Sequence, residues 1–184
     1  YIVGHADAML GAITANDRTA RAIEASRALL GGCPGSEETY LGLRGLRTLA
    51  VRLARHHASG LEVAKWLASR PEVARVLHPA LPSDPGHALW TANYKGASGL
   101  FSIVLNPVPR PVLAAMLDGL SLFGMGYSWG GYESLIVPFD PRTCRTATAW
   151  TADGPALRLH IGLDDPRDLI ADLEAGFARL NAAA

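Results

Sequence analysis

The sequence predicts an α/β protein in two parts. A first third closes an α/β unit, and an α+β unit follows whose helices lie on one side of a mostly antiparallel sheet. Three observations lead there. Residues 157–163 alternate, with Leu157, Leu159, Ile161 and Leu163 set against Arg158, His160 and Gly162, the period of a strand with one apolar face. Leu43, Leu46, Ala50, Leu53 and His57 recur at three- and four-residue steps, the period of an amphipathic helix. Along the chain the elements run strand, helix, long helix, then strand, strand, helix, strand, strand, helix.

The opening phrase, Tyr1 to Thr14, is apolar and strand-like, and Met9 to Thr14 suits a strand in a sheet covered on both faces. It lacks the polar, frayed character of a natural terminus, so a preceding segment is expected. His5 and Asp7 are two apart and point the same way on a strand. A metal site there would need further ligands at suitable spacing, so the pair reads as hydrogen-bonded beside a buried site.

Asp17 is placed to cap a helix to about Leu30, with Ala20, Ile23 and Ala28 among its apolar positions. Gly31-Gly32-Cys33-Pro34-Gly35 breaks it. Ser36 or Thr39 caps the next helix, which runs as one long element through Gly42 and Gly60 to Ser69, before Pro71. Arg44, Arg47, Arg52 and Arg55 on it read as a solvated face with some buried ion pairs.

Val73–Leu77 reads as a strand, Pro79–Gly86 as an irregular loop and His87–Asn93 as a short helix. Lys95-Gly96-Ala97-Ser98-Gly99 lacks the spacing of a nucleotide P-loop, which leaves Lys95 an exposed lysine before the strand Leu100–Leu105. Pro107–Leu117 is a helix with Pro109 or Pro111 in its first turn, and Pro138–Trp150 is mixed loop. Asp164, Asp165 and Pro166 start the last helix, which carries Leu169, Leu173, Phe177 and Leu180 along one face.

Lys+Arg and Asp+Glu are both 17, so no net field draws nucleic acid or an anionic membrane, and neither partner is expected. No apolar run reaches the length of a membrane span, about 18 residues. There is no signal-peptide pattern, so a cytoplasmic location is expected and Cys33 and Cys144 read as free thiols.

One stretch departs from this background. Gly126-Tyr127-Ser128-Trp129-Gly130-Gly131-Tyr132-Glu133-Ser134-Leu135 sets aromatics and hydroxyls among glycines ahead of an apolar run. A glycine pair there marks backbone that takes φ > 0 or comes close to something. On composition it is a bulged strand or tight turn, or the wall of a ligand site.

Tyr127–Leu135 resembles a segment of the Cys/Met-metabolism family of pyridoxal-phosphate (PLP) enzymes, most of which carry a Ser-Leu-Gly-Gly version. Tyr1-Ile2-Val3-Gly4-His5-Ala6-Asp7 resembles what directly follows that family's PLP-binding lysine. Leu157-Arg158-Leu159-His160-Ile161-Gly162-Leu163-Asp164 resembles the strand carrying its substrate-carboxylate arginine. The three lie in family order, and the likeness runs to about Leu180.

The resemblance implies fold-type I architecture. Residues 1–45 would end the PLP-binding large domain, and 46–184 would form the small C-terminal domain, entered through the long helix. It implies PLP as cofactor, a small amino-acid substrate, and a homo-oligomer, a dimer of dimers with active sites shared between subunits. Arg158 would bind the substrate carboxylate, while Tyr127, Ser128 and Trp129 line the pocket. Ser128 would also face the cofactor, and Tyr1 would follow the PLP lysine directly. No catalytic residue and no metal ligand are then expected within the 184 residues. The Ser-Trp-Gly-Gly-Tyr-Glu-Ser form implies β-elimination of L-cystathionine to L-homocysteine, pyruvate and ammonia, a step of transsulfuration and methionine biosynthesis. The alternatives are γ-synthesis or γ-elimination, whose enzymes usually have Leu and a smaller residue at positions 129 and 132, or a non-catalytic domain of this fold.

A guanidinium suits the role given to Arg158, because its planar fork matches a carboxylate through two hydrogen bonds at once. Glu133 is expected to fix the turn structurally.

Overall fold

The computed structural model describes residues 1–184. Three helices come first: α1 (Asp17–Leu29), α2 (Ser36–Leu46) and α3 (Leu49–Ala68). There follow β1 (Val73–Leu77), α4 (His87–Asn93), β2 (Leu100–Leu105), α5 (Arg110–Leu117), β3 (Phe123–Met125), β4 (Ser134–Phe139), β5 (Ala156–His160) and α6 (Pro166–Ala183). The strands form one sheet in the order β1-β2-β5-β4-β3, antiparallel except for the pair β3–β4. β5 is therefore central, and Arg158 on it stands opposite Ser102 on one side and Val137 on the other.

Alternation along β5 divides its side chains between the two faces of the sheet. Leu157, Leu159 and the following Ile161 join Phe101, Ile103, Leu105 and Ile136 in the core. That face is covered by α3, through Val63, Ala64 and Leu67, by α5, through Leu113 and Met116, and by α6, through Leu169, Leu173, Phe177 and Leu180. Arg158 and His160 emerge on the other face. α6 starts at Asp165, whose side chain accepts from the Arg167 amide, with Pro166 next.

The first third departs from expectation. Residues 8–16 form no strand, because no neighbouring strand lies alongside to complete a ladder, and Met9 and Ile13 are exposed. Asn16 rather than Asp17 caps α1, accepting from the Thr19 amide. Gly35 precedes α2 without a side-chain cap, so neither Ser36 nor Thr39 serves, and Thr39 Oγ1 instead donates to the Gly35 carbonyl. His5 does not pair with Asp7: its Nδ1 lies 3.2 Å from the Val3 carbonyl.

The expected single long helix is two. The amides of Arg47 and Thr48 turn back three residues, to Arg44 and Gly45, and the direction changes there. Leu43 and Leu46 consequently point to solvent, and the buried face runs through Gly42, Gly45, Arg52, His56, Ser59 and Gly60. Polar and small residues occupy that face because it packs on backbone. Arg52 is buried without any carboxylate partner, contrary to the expected ion pairs. Its guanidinium donates to the carbonyls of Tyr1 (2.6 Å), Ile2 (3.1 Å) and Gly45 (2.8 Å), and its Nε to Thr48 Oγ1. One buried cation thereby fastens the opening segment to the α2–α3 corner. Gly4, at φ +82, lies against that guanidinium, and a Cβ there would overlap Cζ, so only glycine fits.

Candidate functional site

Because β3 and β4 are parallel neighbours, the eight residues Gly126–Glu133 between them must leave the sheet, travel back along it and re-enter. That route accounts for the glycines of the unusual stretch. Gly130 has φ +80, and a Cβ on it would overlap the Tyr1 nitrogen. The loop and the opening segment are thus in direct contact, and between residues 1–10 and 127–131 lies a cleft of about 640 Å³.

Two residues of β5 clasp the loop from below. Arg158 donates from Nη2 to the Tyr127 carbonyl, with its guanidinium carbon 5.4 Å from the Tyr127 ring centre and 5.6 Å from that of Trp129. His160 is buried and uses both ring nitrogens: the Gly130 amide donates to Nε2 at 2.9 Å, and Nδ1 donates to the Glu133 carbonyl at 3.0 Å. Only the neutral Nδ1–H tautomer makes both bonds. Burial pulls its pKa from 6.5 down to about 4, with the nearby His56 and Arg158 adding to the drop.

Ser134 closes the loop's return. It donates to Asp164 at 2.6 Å and accepts from the Gly162 amide at 3.0 Å. The expected structural role of the Glu133 carboxylate is not found. Its side chain is exposed and its main-chain carbonyl makes the contact, so Ser134 does the fixing.

The structure brings the sequence-predicted residues together. Tyr1, Tyr127, Ser128 and Trp129 all line the cleft, and Arg158, outside that lining, packs against the rings of Tyr127 and Trp129. Sequence reasoning missed His160. Its signal was present, a histidine two residues after Arg158 and therefore on the same face of a strand, but not its partner thirty residues away. A larger cavity of about 980 Å³, lined by His57, His78, Trp90 and Lys95, lies elsewhere and holds none of these residues.

PLP needs an amine for its aldehyde and cations for its phosphate. No lysine, arginine or histidine lines the cleft, and Lys65 and Lys95 are exposed outside it. The residues present thus fit the substrate side of a PLP site, with an arginine, a hydroxyl and aromatic walls, and do not fit the anchoring of the cofactor itself.

This architecture is that of fold-type I PLP enzymes. A cystathionine gamma synthase from Xanthomonas oryzae pv. oryzae superposes with a TM-score of 0.85 at 34% identity, over 100% of this chain and 49% of that one. CalE6, a methionine gamma lyase from Micromonospora echinospora, superposes at 0.79 and 31% identity, over 95% and 46%. The chain belongs to the Cys/Met metabolism PLP-dependent enzyme family, whose profile matches residues 1–178. It is 50% identical to the cystathionine beta-lyase MetC of Escherichia coli K12, over 98% of this chain and 47% of that protein. It is 43% identical to an L-alanine/L-glutamate racemase of Wolbachia pipientis wMel, over 98% and 45%. The chain spans about half the length of the curated relatives it matches.

Proposed function

We propose that this chain is the substrate-recognition half of a carbon–sulfur lyase that performs β-elimination on L-cystathionine, giving L-homocysteine, pyruvate and ammonia. The observation that carries the reading is Arg158, held on the central strand with its guanidinium against Tyr127 and Trp129, two residues that line the cleft. Identity orders the sister reactions. Relatives called cystathionine beta-lyase reach 50%, while a Mycobacterium leprae cystathionine gamma-synthase stands at 34%.

In this reading PLP, when bound, supplies the electron sink for breaking the Cα–H and Cβ–S bonds. The chain's own residues do the rest of what can be assigned here. The Arg158 fork binds the α-carboxylate, which orients Cα. The Tyr127 and Trp129 rings wall off water beside it, and the Ser128 hydroxyl faces the cofactor side. By the family resemblance, the reading has the PLP lysine directly precede Tyr1; the Tyr1 nitrogen itself abuts Gly130. Residues 1–45 belong to the large domain and 46–184 to the small one. In support, α1 buries no residue, and Met9, Ile13, Leu29, Leu30, Tyr40 and Leu43 are exposed, an apolar surface that suits cover by further chain and by other copies. Assembly as a dimer of dimers with shared sites follows the same reasoning. No helix is long and apolar enough to cross a membrane.

The test is the keto acid released by the full-length protein from L-cystathionine. Pyruvate supports β-elimination, and 2-oxobutyrate as the main product overturns it in favour of γ-chemistry. The Wolbachia relative favours a second reading, amino-acid racemisation at the same carboxylate clamp. D-alanine formed from L-alanine faster than pyruvate from cystathionine would establish it.

A further inference from the structure

His160 has no part in the chemistry above, yet its ring is bonded to the candidate site at two points. Its imidazole lies beneath the loop and bridges it, with the Gly130 amide on Nε2 and the Glu133 carbonyl on Nδ1. The two contacts are three residues apart, so one rigid ring sets the span of the loop's second half. Arg158, two residues earlier on the same face, takes the first half through the Tyr127 carbonyl. Ser128 and Trp129 lie between these two fastenings.

The ring cannot drift. Its centre is 5.8 Å from that of Tyr1 and 5.3 Å from that of His56. His56 is anchored in turn by Nδ1, which donates to the Ile161 carbonyl at 2.8 Å. His160 therefore references the loop to α3, to the opening segment and to its own strand at once. Gly130 is the point of convergence, bonded to His160 through its amide and pressed on Tyr1 through its Cα.

We propose that His160 is a positioning residue for substrate binding: its bridge from Gly130 to Glu133 holds Trp129 and Tyr127 against the Arg158 guanidinium, and so presents that guanidinium to a carboxylate. The inference rests on the reading of Arg158 as the carboxylate ligand. A fork must be aimed to within about 0.5 Å to bind bidentately, and a loop free at its second half would let the rings that flank the guanidinium move. The effect belongs to binding and is shared by ground and transition states, so it appears in KM.

The experiment uses the full-length protein loaded with PLP, L-cystathionine as substrate, and the variants His160→Leu, His160→Gln and Arg158→Lys. Glutamine carries an amide oxygen to about the place of Nε2, so it keeps an acceptor for the Gly130 amide, whereas leucine keeps neither bond. His160→Leu should raise KM roughly tenfold or more with kcat within about threefold, and His160→Gln should recover most of the loss. Hydrogen exchange of the peptide covering 126–133 should quicken in the leucine variant and not elsewhere. Combining His160→Leu with Arg158→Lys should raise KM little beyond Arg158→Lys alone, because both act on one contact.

Quickened exchange with an unchanged KM would reduce His160 to a structural residue and overturn the proposal, as would additive effects in the double variant. If His160→Leu does not fold, His160→Asn decides, because its shorter amide reaches the place of Nδ1 but not that of Nε2: a KM rise with faster loop exchange supports the proposal, and wild-type values for both overturn it. An unchanged KM in Arg158→Lys would instead sink the carboxylate reading, and the exchange measurement would still report the loop by itself.

Discussion

Replacing Arg158 by alanine is the most direct perturbation of the site. The guanidinium has five N–H donors. One, on Nη2, goes to the Tyr127 carbonyl, and the rings of Tyr127 and Trp129 approach its carbon without consuming a donor. Four donors remain, and two of them form a parallel pair that can meet a carboxylate. Alanine removes both charge-assisted bonds and leaves the substrate's charge unpaired in a ring-walled cleft. A loss of this kind is worth about 2–4 kcal/mol, or roughly 30- to 900-fold in kcat/KM. Lysine should restore only part, because an ammonium cannot form the fork. The assay is keto-acid release from L-cystathionine by the full-length protein, with bound PLP measured by its absorbance to show that the cofactor site survives. An Arg158→Ala protein with cofactor bound and kcat/KM within about threefold of wild type would refute the assignment.

Four further outcomes follow from the geometry. Gly130→Ala drives a Cβ into the Tyr1 nitrogen at φ +80, so activity should fall at least about tenfold, and wild-type kinetics would contradict the loop's contact with Tyr1. Arg52→Met strands the carbonyls of Tyr1, Ile2 and Gly45, which should cost about 3 kcal/mol or more and quicken hydrogen exchange across residues 1–10, and unchanged exchange there would show the clamp to be dispensable. Phe177→Ala empties a fully buried site beside Trp66 and should lower stability by about 3–5 kcal/mol, read as an earlier urea transition. His160 is held neutral in the fold, with its pKa lowered from 6.5 to about 4 by burial. The unfolded chain takes up this proton first as the pH falls, so the group's contribution is full above pH 6.5 and is lost between there and about pH 4, up to roughly 3 kcal/mol. Stability curves of wild type and His160→Gln should therefore converge over that window, and parallel curves would contradict the buried neutral imidazole.

Elements governed by near neighbours along the chain are legible in the sequence itself. β1, α4 and β2 lie where turn residues and apolar runs put them, and α6 starts at its Asp-Pro cap with Leu169, Leu173, Phe177 and Leu180 buried as its period requires. Tyr1, Tyr127, Ser128, Trp129 and Arg158 are candidate site residues through the resemblance of three short segments, and the fold puts the first four along one cleft and Arg158 in contact with Tyr127. Composition alone leaves Gly126–Glu133 between a bulged strand, a tight turn and a ligand wall, because its shape follows from β3 and β4 being parallel, a fact about pairing between segments.

The opening segment reads as a strand by composition and is none, since a strand exists only where another lies beside it. The long helix breaks, and its buried face differs from the one its leucines suggest, because the corner must accept Tyr1, Ile2 and Gly45 carbonyls around the Arg52 guanidinium. Arg52 reaches partners 51 and 50 residues away, and His160 reaches partners 30 and 27 away. Periodicity and capping report interactions within a few residues along the chain, and on them the sequence by itself determined the elements of the sheet domain. A buried polar side chain is satisfied by whatever backbone the fold brings to it, so only the tertiary structure decided how the loop, the opening segment and the central strand meet at one site.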